Sequence, residues 1–268
     1  MKLIQVSDLH FIPPGQRLFG LDPRARLEAA IADINENHGD AEICLFTGDL
    51  ADGGAPESYE SLRQALTALR IPCRLLIGNH DDRDNFLRAF PEAPRDEGGF
   101  VQSVVSNAAC DLILLDTHEP GIHAGRFCAQ RQDWLRARLN EAAGRPVYLF
   151  MHHPPFDIGI PSLDRIGLLD KAGFAAALDG AANIQHLFFG HVHRPISGSW
   201  RGIPYSCLRS LVHQVPLDFV TVEPVPYDLA PPAYNVILIG DGVTVVHHHD
   251  FMDDSRLPPG QARYTKAE

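Results

Sequence analysis

The hydrophobic and polar positions in the first third of the chain follow two different periods. Short, mostly apolar runs at residues 3–6, 43–47 and 74–77 are typical of buried strands. Between them, apolar residues recur every three or four positions over 23–39 and again after Pro56, which is the spacing of an amphipathic helix. The pattern predicts a βαβαβ unit with parallel strands.

Later apolar runs predict further strands at 112–115, 147–150, 187–189 and 205–208, and a helix that ends near Gly144. Asn235 to Ile239 and Val243 to His247 flank Gly240-Asp241-Gly242, which is a strong hairpin signal. The stretch 215–232 contains five prolines and no helical period. We therefore expect one catalytic domain over residues 1–210, and a C-terminal cap or hairpin segment over 211–268 that packs on it or on a partner subunit.

Composition narrows the classes of function. A chain of 268 residues with 45% hydrophobic content can bury a large core. The formal net charge of −11 argues against a nucleic-acid polymer as partner, because binding to its backbone needs a basic surface. We expect no membrane span, since no apolar run reaches the roughly 18 residues required. The polar start and the five cysteines without paired spacing indicate a cytoplasmic protein with reduced thiols.

Polar motifs that carry metal-ligating side chains follow five of the predicted strands. They are Asp8-Leu9-His10, Gly48-Asp49, Gly78-Asn79-His80, His152-His153 and Gly190-His191-Val192-His193. The carboxyl ends of strands converge at one edge of an α/β sheet, and oxygen and imidazole donors suit transition metals. A strand continuing past Val6 would also place Asp8 and His10 on the same side. Each motif alone is weak, but together they predict a two-metal hydrolytic site.

The order of these motifs resembles that of the calcineurin-like metallophosphoesterases. Their pattern of D-x-H, G-D, G-N-H, H and G-H-x-H is complete over roughly residues 1–210. The chain is similar in particular to class III cyclic nucleotide phosphodiesterases and to the bacterial glycerophosphodiesterases of that class. That similarity depends on residues 78–82, 151–155 and 212–216. The resemblance implies an α/β fold, namely a four-layer α/β/β/α sandwich with a C-terminal cap and dimerisation segment.

The resemblance also implies a role for each matching residue. One metal ion would be held by Asp8, His10, Asp49 and His193, and a second by Asp49, Asn79, His152 and His191, with Asp49 bridging the two. The ions would be divalent or of mixed valence, Fe or Mn in the first place, with Zn or Co as alternatives because the donors suit all four. A metal-bridging hydroxide would attack phosphorus, and His80 would stabilise or protonate the leaving oxygen. Asn79, His80 and His213 would contact the substrate.

The implied substrates are small phosphodiesters, either 3′,5′-cyclic nucleotides or glycerophosphodiesters. The alternative is a phosphomonoesterase or phosphoprotein phosphatase of the same fold, and a phosphoprotein phosphatase would usually carry GDxxDRG. The matching stretch here, residues 48–54, has no arginine. A non-catalytic scaffold would have lost ligands, and all seven are present.

Three further expectations concern the surroundings of the site. The pocket walls should come from residues 52–59, 121–123 and the proline-rich stretch after Val215. His247 to His249 should alternate between the faces of a surface strand. The hairpin over 235–249 offers an edge through which a homodimer or higher homo-oligomer could form.

Overall fold

A computed structural model describes residues 1–240 and 242–253, and its architecture consists of two sheets packed face to face between helices. The first sheet contains β1 (Lys2–Val6), β2 (Ile43–Thr47), β3 (Cys73–Leu76), β10 (Tyr234–Gly240) and β11 (Val243–His249), in the order β11-β10-β1-β2-β3. The second sheet contains β4 (Ser103–Ser106), β5 (Asp111–Leu114), β6 (Val147–Met151), β7 (Ile184–Phe189), β8 (Ile196–Trp200) and β9 (Ile203–Cys207), in the order β4-β5-β6-β7-β9-β8. The helices are α1 (Pro23–Asn37), α2 (Pro56–Leu66), α3 (Arg83–Ala89), α4 (Ala129–Glu141), α5 (Pro161–Asp164) and α6 (Lys171–Ala177).

Three apolar clusters define the layers. Leu45 of the first sheet packs with Phe150 and Phe188 of the second in a cluster that lies between the sheets. The outer face of the first sheet is covered by α1 and α2, and that of the second by α4 and α6, each with its own buried cluster. This arrangement confirms the predicted four-layer α/β/β/α sandwich.

Parallel strands form the centre of each sheet. β1, β2 and β3 run parallel, and so do β5, β6, β7 and β9. The helix between the first two strands begins where the sequence predicts, because the Asp22 carboxylate accepts hydrogen bonds from the backbone N–H groups of Arg24 and Ala25 and Pro23 follows it. The carboxyl ends of the parallel strands carry all of the motifs described above.

The C-terminal hairpin is part of the first sheet. β10 pairs antiparallel with β1, with Leu238 opposite Lys2, and β11 pairs with β10. Residues 215–232 contain no helix or strand, although Gln214 and Asp228 form an isolated bridge. The domain boundary at residue 210 and the role of 211–268 as a cap stay predictions. Residue 241, in the predicted hairpin turn, and residues 254–268 lie outside the described residues.

Two observations bear on the expectations from composition. The five cysteines are free thiols. Among the described residues, no helix combines the length and apolar character that crossing a bilayer requires.

Candidate active site

The backbone turns sharply where the strands end. Asp8, His10, Asp49, His191 and His193 have φ values of 58°, 45°, 49°, 66° and 50°, in the left-handed region that non-glycine residues rarely occupy. β1 therefore ends at Val6, as predicted, and does not continue as an extended strand through Asp8 and His10. Left-handed turns, and not an extended strand, bring the side chains of Asp8 and His10 together. Such backbone strain is typically concentrated at functional sites.

One group of converging donors consists of Asp8, His10, Asp49 and His193, whose ligand atoms all lie within 4.8 Å of one another. His193 Nε2 is 3.1 Å from His10 Nε2 and 3.2 Å from Asp8 Oδ1. Two ligands that share an ion at about 2.1 Å lie roughly 3 Å apart, so these spacings fit a common cation.

A second group lies on the other side of Asp49. His152 Nε2 is 3.3 Å from Asp49 Oδ1, and the rings of His152 and His191 are 5.2 Å apart. Asn79 Oδ1, His152 Nε2 and His191 Nε2 are buried and have no hydrogen-bond partner among the described residues, and the same holds for Asp8 Oδ2. Buried lone pairs without a donor each cost about 1–3 kcal/mol. These unsatisfied atoms therefore fit a site in which cations satisfy them.

Hydrogen bonds at the opposite ring nitrogens fix the orientation of three histidines. The Nδ1–H of His152 donates to the carbonyl oxygen of Thr47 at 2.8 Å, and that of His193 to the carbonyl oxygen of His213 at 2.9 Å. His10 donates from Nδ1 to Asp52 Oδ1 at 3.1 Å. Each ring therefore points its Nε2 atom toward the other candidate metal-ligating atoms. Histidines that bind metals commonly have their second nitrogen hydrogen-bonded in this way.

The glycines before Asp49 and Asn79 leave room for the donors. A Cβ on Gly78 would lie 2.3 Å from Asp49 Oδ1 and 2.6 Å from His152 Nε2. A Cβ on Gly48, which has a φ of 103°, would lie 2.4 Å from His152 Nδ1. At these two positions the chain needs the absence of a side chain for the donors to approach one another.

Asp81 holds the two central loops together, and the sequence analysis gave it no role of its own. Its buried carboxylate accepts hydrogen bonds from the N–H groups of Leu50, Ala51 and Gly78 at 2.8–3.0 Å, and from the Tyr59 hydroxyl at 2.9 Å. Burial, helped by the Asp49 charge, raises the pKa of Asp81 to about 6. The position of Asp81 directly after Asn79-His80 indicates a residue near the site. The sequence alone does not distinguish a carboxylate that binds a cation from one that accepts hydrogen bonds from the backbone.

His80 lies beside the donors and is held by a carboxylate. Its backbone N–H donates to Asp49 Oδ1 at 2.9 Å, and its Nδ1 is 2.8 Å from Asp52 Oδ1. Burial by itself lowers the pKa of His80, but the Asp49 and Asp52 carboxylates outweigh that effect and raise it to about 9. The two carboxylates therefore favour the protonated imidazole. Asp52 contacts both His10 and His80 and is a candidate functional residue, whereas its sequence position predicts only a place in a pocket wall.

Two further histidines differ in what their nitrogens can do. Both ring nitrogens of His153 are engaged, Nδ1 with Thr117 Oγ1 at 2.8 Å and Nε2 with the carbonyl oxygen of His123 at 3.1 Å. His213 Nδ1 has no hydrogen-bond partner in the described part of the chain. Burial, with the nearby His193 and His10, lowers the pKa of His213 to about 2, so its ring is neutral.

A cavity of about 240 Å³ opens above the donors. It is lined by His10, Asp49, Asn79, His80, His123, Leu163, Arg165, Ile166, His191, His193, His213, Val215, Glu223, Pro224, Val225 and Tyr227. His123 and the proline-rich stretch contribute walls as expected. Residues 52–59 do not line it, contrary to expectation, although Asp52 contacts the lining residues His10 and His80, and Leu163, Arg165 and Ile166 contribute walls that were not expected.

Aromatic rings surround His213 at the rim of the cavity. The rings of Phe19 and Tyr227 each lie 4.8 Å from that of His213 and 5.3 Å from each other. Phe19 is 48% exposed and Tyr227 50% exposed, so both present apolar faces to solvent beside the donors. Exposed aromatic faces next to a polar site can stack on a planar ligand group.

The first 195 residues match the family model described as calcineurin-like phosphoesterase. A probable cyclic nucleotide phosphodiesterase of Rhodopseudomonas palustris is 42% identical over 260 residues, which cover 96% of this chain and 95% of the relative. A glycerophosphodiester phosphodiesterase of Enterobacter lignolyticus is 30% identical over 237 residues, covering 87% and 85% of the two chains. A dimetal phosphatase from Danio rerio shares the fold with a TM-score of 0.72 at 14% identity, covering 94% of this chain and 97% of that one. Because the family model matches most of the length of this chain, the chain belongs to the calcineurin-like phosphoesterase family.

Proposed function

We propose that this chain is a metal-dependent hydrolase of small phosphodiesters, with 3′,5′-cyclic nucleotides favoured over glycerophosphodiesters. The observation that carries the proposal is the set of buried donor atoms that make no hydrogen bond among the described residues, at the bottom of an open cavity: Asp8 Oδ2, Asn79 Oδ1, His152 Nε2 and His191 Nε2. Asp8, His10, Asp49 and His193 would hold one ion, and Asp49, Asn79, His152 and His191 the other. Fe and Mn are the favoured ions, with Zn and Co as alternatives.

Bound ions would neutralise charge on the phosphoryl oxygens and make water a nucleophile near neutral pH. Asp52 engages Nδ1 of His80 and favours its protonated form, so Nε2 is the atom that would donate to the leaving oxygen. Asn79 and the neutral His213 line the same cavity and would contact the phosphate or the sugar.

The preference for cyclic nucleotides rests on the rim. Phe19 and Tyr227 offer exposed aromatic faces on which a nucleobase can stack, whereas a glycerol moiety has no ring to place there. The relative of 42% identity, which is named a probable cyclic nucleotide phosphodiesterase, supports the same choice.

The first test compares initial rates on bis(p-nitrophenyl) phosphate and p-nitrophenyl phosphate, using metal-stripped protein reloaded with Mn²⁺. We expect the diester to be preferred, and the activity to vanish in Asp49→Ala but not in Asp40→Ala, which changes an exposed acid. A preference for the monoester would instead support a phosphatase. No turnover of either substrate would support a scaffold.

The second test addresses the substrate. Replacing Tyr227 by alanine should raise KM for 3′,5′-cyclic AMP roughly tenfold, because one base–aromatic stack contributes about 1–3 kcal/mol. The KM for a glycerophosphodiester should change little. Equal effects on the two substrates would remove the argument for a nucleotide preference.

We also propose that copies of the chain assemble through the edge of the first sheet, as a homodimer or higher homo-oligomer. β11 is the outer strand there, and Val243 and Val245 on it are exposed. Light scattering of the wild type and of Val245→Lys tests this, since a charge on the edge should shift the mass toward the monomer. A cytoplasmic location likewise stays a prediction, which fractionation of the source cells would test.

A further inference from the structure

A separate group of metal-ligating side chains lies where helix α1 meets the C-terminal hairpin. It consists of Asp33 on α1, His38 at the C-terminal cap of α1 and His249 at the end of β11, with ligand atoms within 4.8 Å of one another. None of the three is among the residues that line the active-site cavity. We propose that these residues form a structural site for a zinc-type divalent cation, which links α1 to the hairpin.

The imidazole of His38 is the first argument for a ligand. Its Nδ1 and Nε2 atoms are buried, and neither has a hydrogen-bond partner within residues 1–240 and 242–253. Its ring meets those of His249 and Tyr234 edge-on, with centroids 5.8 and 5.9 Å away. A buried ring nitrogen without a donor is costly, and a cation placed between His38 and His249 would satisfy it.

The carboxylate of Asp33 is the second argument, because it is already oriented. Its Oδ1 accepts a hydrogen bond from Asn37 Nδ2 at 2.8 Å, and its Oδ2 is 3.0 Å from His249 Nε2. The Tyr234 hydroxyl also donates to Oδ2. The 3.0 Å separation is close to that of two ligands on one ion, so a cation could replace the N–H···O contact while the ring proton moves to Nδ1.

The local charges are compatible with a cation. His38 caps the C-terminus of α1, where the partial negative charge of the last carbonyl groups favours positive ions. Lys2 lies near His38, but its ammonium is 2.6 Å from Asp40 Oδ1 and is compensated there. Two imidazoles and one carboxylate, with a fourth position for solvent, form a donor set that zinc accepts.

The test counts zinc in the untagged full-length protein, because a histidine tag would add its own site. After equilibration with Zn²⁺ and gel filtration, the metal content per chain is measured by mass spectrometry. We expect His38→Ala and His249→Gln each to hold one equivalent less than the wild type. His247→Ala, which changes a histidine of the same strand outside the group, should hold as much as the wild type.

A second readout distinguishes a cation that links α1 to the hairpin from a cation that binds without stabilising the fold. Zn²⁺ should raise the Tm of the wild type more than that of His38→Ala, because the ion joins two elements that are distant in sequence. Far-UV circular dichroism checks that the variants fold. Equal zinc content in wild type and both variants would overturn the proposal, and so would loss of the ion in one variant with retention in the other. An equal rise in Tm would overturn the link between α1 and the hairpin.

Discussion

Gly78 lies where the loop after β3 passes between Asp49 and His152, and a hydrogen in place of a side chain leaves room for both. In Gly78→Ala the new Cβ would come within 2.3 Å of Asp49 Oδ1, so the donors must separate. We expect this variant to lose at least one of the two active-site ions and most of its diesterase activity. Gly167→Ala is the matched control, because no atom lies closer than 3.5 Å to its added Cβ. Full metal content and activity in Gly78→Ala would contradict the expected crowding.

Asp81 allows a second test at a single residue. Replacing it by alanine leaves three buried N–H groups and the Tyr59 hydroxyl without their acceptor. At about 1–3 kcal/mol for each unsatisfied buried group, the free energy of unfolding should fall by several kcal/mol. Tyr59→Phe removes one hydrogen bond to the same carboxylate and the one that the Asp82 N–H donates to the hydroxyl, so it should cost less, about 2 kcal/mol. Urea unfolding measures both, and equal losses would show that the loops do not depend on Asp81.

The motifs in the sequence were sufficient to predict which side chains meet, but not how the backbone brings them together. Asp8, Asp49 and His191 follow apolar strands, and parallel strands end at the same edge, so their convergence is predictable. The left-handed turns at these residues are not predictable, because aspartate and histidine carry no signal that distinguishes such a turn from an extended exit. The place of Tyr227 beside the site could not be predicted either, since the stretch around it has neither a helical nor a strand-like hydrophobic period.

At the scale of elements, a strand can be predicted from the sequence when both of its faces are buried. The residues of β2 and β6 are all buried, and their uninterrupted apolar runs predict them well. The edge strand β8 was missed because its three middle residues, Ser197, Gly198 and Ser199, are exposed and small. The seven-residue helix α6 buries Phe174 and Ala177 alone, too few positions for a recognisable stripe.

The start of α1 gives the prediction that belongs to this scale. Asp22→Ala removes the acceptor for two N–H groups, at 3.0 and 3.2 Å, in the first turn. We expect a loss of about 1 kcal/mol in the free energy of unfolding and a fall in Tm of about 2–4 °C. Glu28→Ala, which removes an exposed ion pair with Arg24 from the same helix, should cost no more than about 0.5 kcal/mol. If the two variants unfold at the same temperature, the cap does not contribute as stated.

For the whole molecule, stability should fall in mild acid, partly because of His186. Burial lowers the pKa of this histidine from 6.5 to about 4, and its Nε2 lies 2.9 Å from Ser206 Oγ. The unfolded chain binds the proton first, so stability is lost as pH falls from about 6.5 to about 4. At about 1.36 kcal/mol per pH unit the loss approaches 3 kcal/mol.

His186→Gln should lack the part of the acid-induced loss of stability that comes from His186, while every other titrating group remains. The difference in unfolding free energy between wild type and variant should therefore shrink by about that amount between pH 7 and pH 4. Urea titrations at several pH values measure it. Parallel pH curves for the two proteins would contradict the assignment to His186.

The charge of the whole molecule limits the size of its substrates. With a net charge of −11, the surface repels a polyanion, while a small diester needs attraction only at the cavity. We expect single-stranded DNA to be hydrolysed far more slowly than bis(p-nitrophenyl) phosphate under identical metal loading. Comparable rates on the two would refute the restriction to small diesters.

The two donor groups each take residues from both sheets, since Asp8, Asp49 and Asn79 follow strands of the first sheet and His152, His191 and His193 follow strands of the second. A chain still on the ribosome cannot assemble the second group until residue 191 has emerged, or the first until residue 193 has emerged, and both groups need the two sheets to close. Chains that terminate before residue 191 should therefore bind no transition metal at this site. Metal uptake would then mark the closure of the two sheets, and starvation for metal should shorten the lifetime of the protein.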